Sequence, residues 1–127
     1  MADIRQEIFD YLKSQGLQPE ETPFGIYFKY QMLSFLIFHE EEDSQFFRLA
    51  LPGIFDVDEN NRADVLEATN AVNLGIKVAK AVVPEDDVWI ATEHLLDEDP
   101  KYDDIIPRSL HILIQARDLF FNYLQRD

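Results

Sequence analysis

The sequence predicts an α+β domain in the order helix, three strands, helix, two strands, helix. Three observations carry this. The stretch 32–39, MLSFLIFH, has strand length and is apolar on both sides: Leu33, Phe35 and Ile37 alternate with Met32, Leu36 and Phe38. Runs of period two flank it, joined by connections too short for anything but antiparallel pairing. Segments of helical period open, divide and close the chain. A strand apolar on both sides is a strand covered on both, by helices of its own chain or by a second copy.

The elements follow in order. Over 3–14, Ile4, Ile8 and Leu12 form one helical stripe flanked by Phe9 and Tyr11; Asp3 with Gln6 reads as a box-like cap, and Gly16 suits the left-handed stop. The segment 17–23 reads as a surface loop. A first strand spans 24–30, with Phe24, Ile26, Phe28 and Tyr30 on one face and Gly25, Tyr27 and Lys29 on the other. After the 32–39 strand, Glu40 to Asp43 makes a solvated acidic turn. A third strand over 45–51 sets Phe47, Leu49 and Leu51 against Phe46, Arg48 and Ala50, and Pro52-Gly53 closes it. A second helix is expected over 61–72, with Asn70 and Asn73 at its end. Strands over 76–83 and 88–96 form a hairpin about Pro84 to Asp87. The last helix is expected over 105–125, with Pro107 in its first turn. Its apolar surface is wide: Ile106, Leu110, Leu113, Ile114, Phe120, Phe121 and Leu124 make one stripe, and Ile112, Ala116, Leu119 and Tyr123 a second. An ordinary surface helix buries a stripe of about 100°. Self-association through the extra width is the favoured reading and deeper burial within one chain the other. Ile112, Leu119 and Tyr123 are the candidate contacts of a two-fold dimer.

The length, 127 residues, suits a single domain, and 46% hydrophobic content with ten phenylalanines suits a packed core. The formal charge is −14, which opposes nucleic acid and anionic membranes as partners. No cysteine is present, so disulfides and thiol chemistry are excluded. The charged start of the chain holds no apolar signal core and no run reaches spanning length, so a cytoplasmic protein is expected.

Nothing in the sequence organises catalysis. The serines lie in no elbow motif, the four glycines are scattered, and His39, His94 and His111 lack ligand spacing. No motif calls for a cofactor. One stretch imitates a calcium loop: Asp56, Asp58, Asn60, Asp64 and Glu67 stand at its first, third, fifth, ninth and twelfth positions. Asn61 replaces the turn glycine, however, and Pro52-Gly53 precludes an entering helix. Capping of the second helix by Asp58, Asn60 or Asn61 is the better reading. Arg48 and Arg117 sit among apolar residues, where a carboxylate partner or snorkelling would accommodate them. Trp89, given the charge, reads as core or interface.

The residues Asn70-Ala71-Val72-Asn73-Leu74-Gly75-Ile76-Lys77-Val78-Ala79, with 35–38 and 46–52, resemble the YbjN-type family of "putative sensory transduction regulators". The resemblance spans nearly the whole chain, and its motifs are structural. It implies the fold of type III secretion chaperones, which are small, acidic, cytosolic homodimers that take an extended client segment around their surface. It supplies no catalytic residues. The expected protein is therefore a non-enzymatic, chaperone- or adaptor-like interaction module. Tyr27, Phe38, Phe46 and Trp89 are its candidate partner surface, with an acidic rim setting the sign of the partner's charge. A small-molecule sensor, with a pocket between the sheet and the last helix, is the alternative.

Overall fold

The computed structural model describes residues 3–125, except for the side chain of Glu41. Met1 and Ala2, at the head of the stretch read for a signal core, lie outside them. The elements are α1 (Ile4–Ser14), β1 (Glu20–Glu21), β2 (Ile26–Tyr30), β3 (Leu33–Phe38), β4 (Phe46–Leu51), α2 (Arg62–Gly75), β5 (Ala79–Val82), β6 (Trp89–Leu95) and α3 (Tyr102–Leu124). A single 3₁₀ turn, Glu41–Asp43, joins β3 to β4.

All six strands form one antiparallel sheet in the order β1-β2-β3-β4-β6-β5. The meander and the later hairpin are thus continuous, because β6 lies directly beside β4. The expected five strands gain a sixth: Glu20 and Glu21, read as loop, pair with Tyr27 and Ile26.

Register sorts the side chains into two faces. Ile26 stands opposite Ile37, Phe28 opposite Phe35, Ile37 opposite Leu49, Leu49 opposite Thr92 and Leu51 opposite Ile90. All eight residues are buried, and the helices cover this face. Phe28 and Phe35 stack with ring centres 5.6 Å apart. The helix α3 lies across β4, β5 and β6 and packs against both α1 and α2. Its Ile106, Ser109, Leu110, Leu113, Ala116 and Phe120 are buried, and Phe55 meets Phe120 and Phe121 edge-on at 5.8 and 6.0 Å.

The helix ends differ from expectation in informative ways. Asp3 caps α1, accepting from the Gln6 N–H at 3.1 Å, but the Gln6 side chain turns forward to Asp10 instead of closing the box. α2 runs on to Gly75, so neither Asn70 nor Asn73 stops it. Asn73 instead spends its amide on β5: its Oδ1 accepts from the Ala81 N–H at 2.7 Å and its Nδ2 donates to the Ala81 carbonyl at 3.0 Å. The side chain stands where the next strand's backbone would stand. The strand expected from residue 76 begins only at Ala79, because Val78 adopts φ 74°, a left-handed conformation that a β-branched residue rarely takes.

α3 begins three residues early. Tyr102 in its first turn donates to Glu7 of α1 at 2.9 Å, which ties the start of the helix to its neighbour. Pro107 therefore lies inside the helix, beyond the first turn. Met32 is likewise not in a strand. Gln31 and Met32 form a two-residue turn with φ 51° and 66°, and Met32 is 98% exposed. Such turns ordinarily use Asn-Gly. Forcing side-chain-bearing residues into them costs roughly 1–2 kcal/mol each. Gly25 is required where it stands, since a Cβ there would fall 2.1 Å from the Ile37 carbonyl oxygen.

Candidate interaction surface

Among the described residues no helix lies on the second face of the sheet. Its rows read across the strands from the pairing: Tyr27, Leu36, Ala50, Ala91 and Lys80 in one; Phe38, Arg48 and Glu93 in the next; then Phe46 and Leu95; and Val82 with Trp89 at the opposite end. The chain's own helices cover the 32–39 strand on one side only. On the other, Leu36 and Phe38 are half-buried by neighbours within the sheet itself.

Those neighbours build a fixed platform. Phe38 and Trp89 come from strands on either side of β4, yet their rings stack at 6.1 Å. Ala50 lies between their strands and is fully buried on this otherwise open face. Small side chains at Ala50 and Ala91 leave the room in which two large rings fold inward and meet. Arg48 lays its guanidinium over Phe38 at 5.7 Å and over Phe46 at 5.2 Å. Its Nε and NH2 donate to Glu93 at 3.0 and 2.9 Å, and Lys80 reaches the same carboxylate at 3.2 Å. Burial pushes the Glu93 carboxyl up, but hydrogen bonds from Lys80 and Arg48 outweigh it and leave the group below its usual range. Tyr27 and Ser34 join hydroxyls at 3.0 Å, and Trp89 donates its indole N–H to Asp87 at 3.2 Å.

The structure thus gathers Tyr27, Phe38, Phe46 and Trp89, the residues expected to meet a partner, on one face of the sheet. Sequence reasoning did not supply the Arg48–Glu93–Lys80 cluster. Its members lie 45 and 13 residues apart and are joined by strand register alone. Of the candidate dimer contacts, Leu119 packs beside Gly75 of α2 and Tyr123 against the core, while Ile112 is half-buried. Much of the width of the α3 apolar surface is taken up by α2, α1 and the sheet. Arg117 lies over the Phe121 ring at 4.9 Å with Asp118 3.8 Å away, so both unusual arginines combine a carboxylate with an aromatic ring.

The calcium look-alike is spent on backbone. Asp58 accepts from the N–H groups of Asn60 and Asn61 at 2.8 and 2.9 Å, and Asn61 returns a bond to the Asp58 N–H at 2.8 Å. Asp56 bridges to Asp87, and Asp64 and Glu67 are exposed on α2. Among the described residues no group of three or more His, Cys, Asp or Glu side chains is placed to hold a metal ion. The histidines lie apart: His39 contacts the Ser44 carbonyl at 3.0 Å, His94 the Ser109 hydroxyl at 3.1 Å, and His111 is exposed.

Two of the surface cavities adjoin aromatic residues. One of about 480 Å³ adjoins Trp89 and is walled by Asp56, Glu85, Asp86 and Asp87. The other, about 200 Å³, lies between α1, α3 and the end of β2, against Tyr11, Leu12, Tyr30 and Leu110. Burial raises the Tyr11 hydroxyl's pKa, with the Asp103 charge adding to it. Among the described residues no helix is long and apolar enough to cross a membrane.

These features define a small α+β domain with all its helices on one side of an antiparallel sheet. Among solved structures it is the YbjN-type fold. YbjN, described as "a putative transcription regulator from E. coli", superposes with a TM-score of 0.72 at 10% identity, over 92% of this chain and 88% of that one. An uncharacterised protein from Methanothermobacter thermautotrophicus matches with a TM-score of 0.65 at 13% identity, over 95% and 96%. Neither is described as an enzyme. No protein-family model and no curated protein matches the sequence.

Proposed function

We propose that this protein is a non-enzymatic interaction module, chaperone- or adaptor-like, that holds a segment of a partner protein on the outer face of its sheet. One observation carries the reading. The outer face keeps four aromatic side chains and Leu36 on the strands, with no helix over them among the described residues. Half-buried clusters of this kind that no helix covers, rich in aromatic residues and arginine, suit recognition surfaces. Arg48, clamped between two rings and Glu93, holds the platform before a partner arrives, so little ordering cost remains at binding. The fold shared with a regulator and the resemblance to client-binding chaperones agree with this role.

A random-peptide display selection tests it. The wild-type protein should enrich related peptides, and the Leu36→Glu variant, which buries a charge in the middle of the face, should lose them. Peptides that bind both proteins equally would remove the outer face from the function.

The cavity against Tyr11 and Leu110 favours a second reading, a sensor of a small apolar molecule. Its volume of about 200 Å³ is below the roughly 300–1,000 Å³ usual for ligand sites, so it ranks second.

A further inference from the structure

Resting on that reading, we infer that the segment held by the outer face is apolar in its middle and acidic at its ends. The chain as a whole carries a formal charge of −14, which by itself would select a basic partner. The strand positions of the outer face depart from that balance. They hold three cations, Lys29, Arg48 and Lys80, against two carboxylates, Glu20 on the short edge strand and Glu93. Glu93 is already occupied by Arg48 and Lys80, so a basic partner could reach it only by displacing them. Lys29 is exposed and has no ion pair among the described residues.

The acids of the chain crowd instead into the connections at the strand ends, at Glu40 to Asp43, Glu85 to Asp87 and Asp97 to Asp99. The middle row of the face, Leu36, Ala50 and Ala91, lies four residues or ~13 Å along the strands from Glu40 and from Asp87. That is more than the ~8 Å Debye length beyond which exposed charges are largely screened, and Asp87, the acid that reaches the face, is engaged by the Trp89 indole N–H at 3.2 Å. The nearby lysines then decide the sign. Lys29 on β2 and Lys80 on β5 flank the aromatic platform, four strand spacings or ~19 Å apart. An extended segment covers that span in about six residues. It would set its apolar centre on Leu36, Phe38 and Trp89 and bring a carboxylate to the lysine at each side.

Trp89 is the only tryptophan of the chain and lies within the face, so its emission reports occupancy directly. The probes are the blocked peptide Asp-Ser-Leu-Phe-Leu-Ser-Asp, its twin with Lys for both Asp, and a neutral twin with Ser. The acidic peptide is expected to shift Trp89 emission saturably and to bind about tenfold more tightly than the Lys twin. Lys29→Glu should weaken it about two- to fivefold, without changing the fold, because Lys29 is exposed. A Lys twin that binds equally or better overturns the charge assignment and leaves the interaction reading standing. If none of the three peptides moves the emission, both fall. Emission that changes with protein concentration alone would give the face to a second copy and also overturn the inference.

Discussion

The two faces of the sheet are made by the same strands, yet they are built on opposite plans. The inner face is sealed by helices, and its side chains fit by volume: Phe28 on Phe35, Leu49 beside Ile37, Phe120 against Phe55. The outer face is held together by charge and aromatic stacking, with Arg48 and Glu93 at its centre and rings leaning over two alanines. An inner face that loses volume leaves a cavity that its neighbours cannot fill. An outer face that loses a ring leaves only water-accessible space. Stability therefore resides on one side and the proposed recognition on the other, and a strand can be altered on alternate residues to affect either one.

The largest expected effect tests that division. Phe35→Ala should cost about 3–5 kcal/mol in urea unfolding, as large-to-small changes in a close-packed core do. Phe46→Ala, on the other side of the neighbouring strand, should cost about 1 kcal/mol or less. Equal costs would mean that the outer face is as deeply covered in solution as the inner one. A smaller effect of opposite sign comes from Thr92. Its hydroxyl is fully buried on the inner face and has no hydrogen-bond partner among the described residues. Thr92→Val should stabilise by about 1 kcal/mol, read as a higher urea midpoint at unchanged slope. A loss instead would show that the hydroxyl has a partner, such as a bound water.

The smallest effect is one of pH. His94 lies between the sheet and α3, bonded to Ser109 and tilted against Phe47 at 6.1 Å. Burial lowers its pKa below that of a free imidazole. In the ordinary histidine range the unfolded chain therefore takes up the proton first. The contribution is whole above the ordinary histidine pKa and is lost as pH falls towards the folded-state value. Stability should drop over that window in the wild type and be flatter in His94→Gln, with denaturation midpoints as the readout. Identical slopes would show that His94 is not desolvated.

What the sequence made legible was alternation. The assignment of Ile26, Phe28, Phe47, Leu49 and Leu51 to one face and of Tyr27, Phe46 and Arg48 to the other follows from period two alone, and the helix stripes from period 3.6. What stayed hidden depends on context. Glu20-Glu21 has no strand preference and pairs only because β2 offers it an edge. The turn at Gln31-Met32 lacks the glycine or asparagine that would signal it, so Met32 reads as the start of the strand. Asn73 looks like a helix stop until β5 supplies a better partner for its amide. The site shows the same split: its aromatic residues were visible, but their binding into one platform through Arg48 and Glu93 needed the register of β3, β4 and β6.

The Asn73 amide has a consequence for how this protein behaves at high concentration. A sheet that ends in free backbone donors and acceptors can seed growth, each molecule templating the next. Here the two residues of β1 and the last three of β2 make one short, stepped border, and at the other a side chain acts as a chain terminator on Ala81. Removing that terminator with Asn73→Ala would turn a border that ends the sheet into one open to polymerisation. The same sheet that carries the aromatic face thus has one of its borders closed by a side chain.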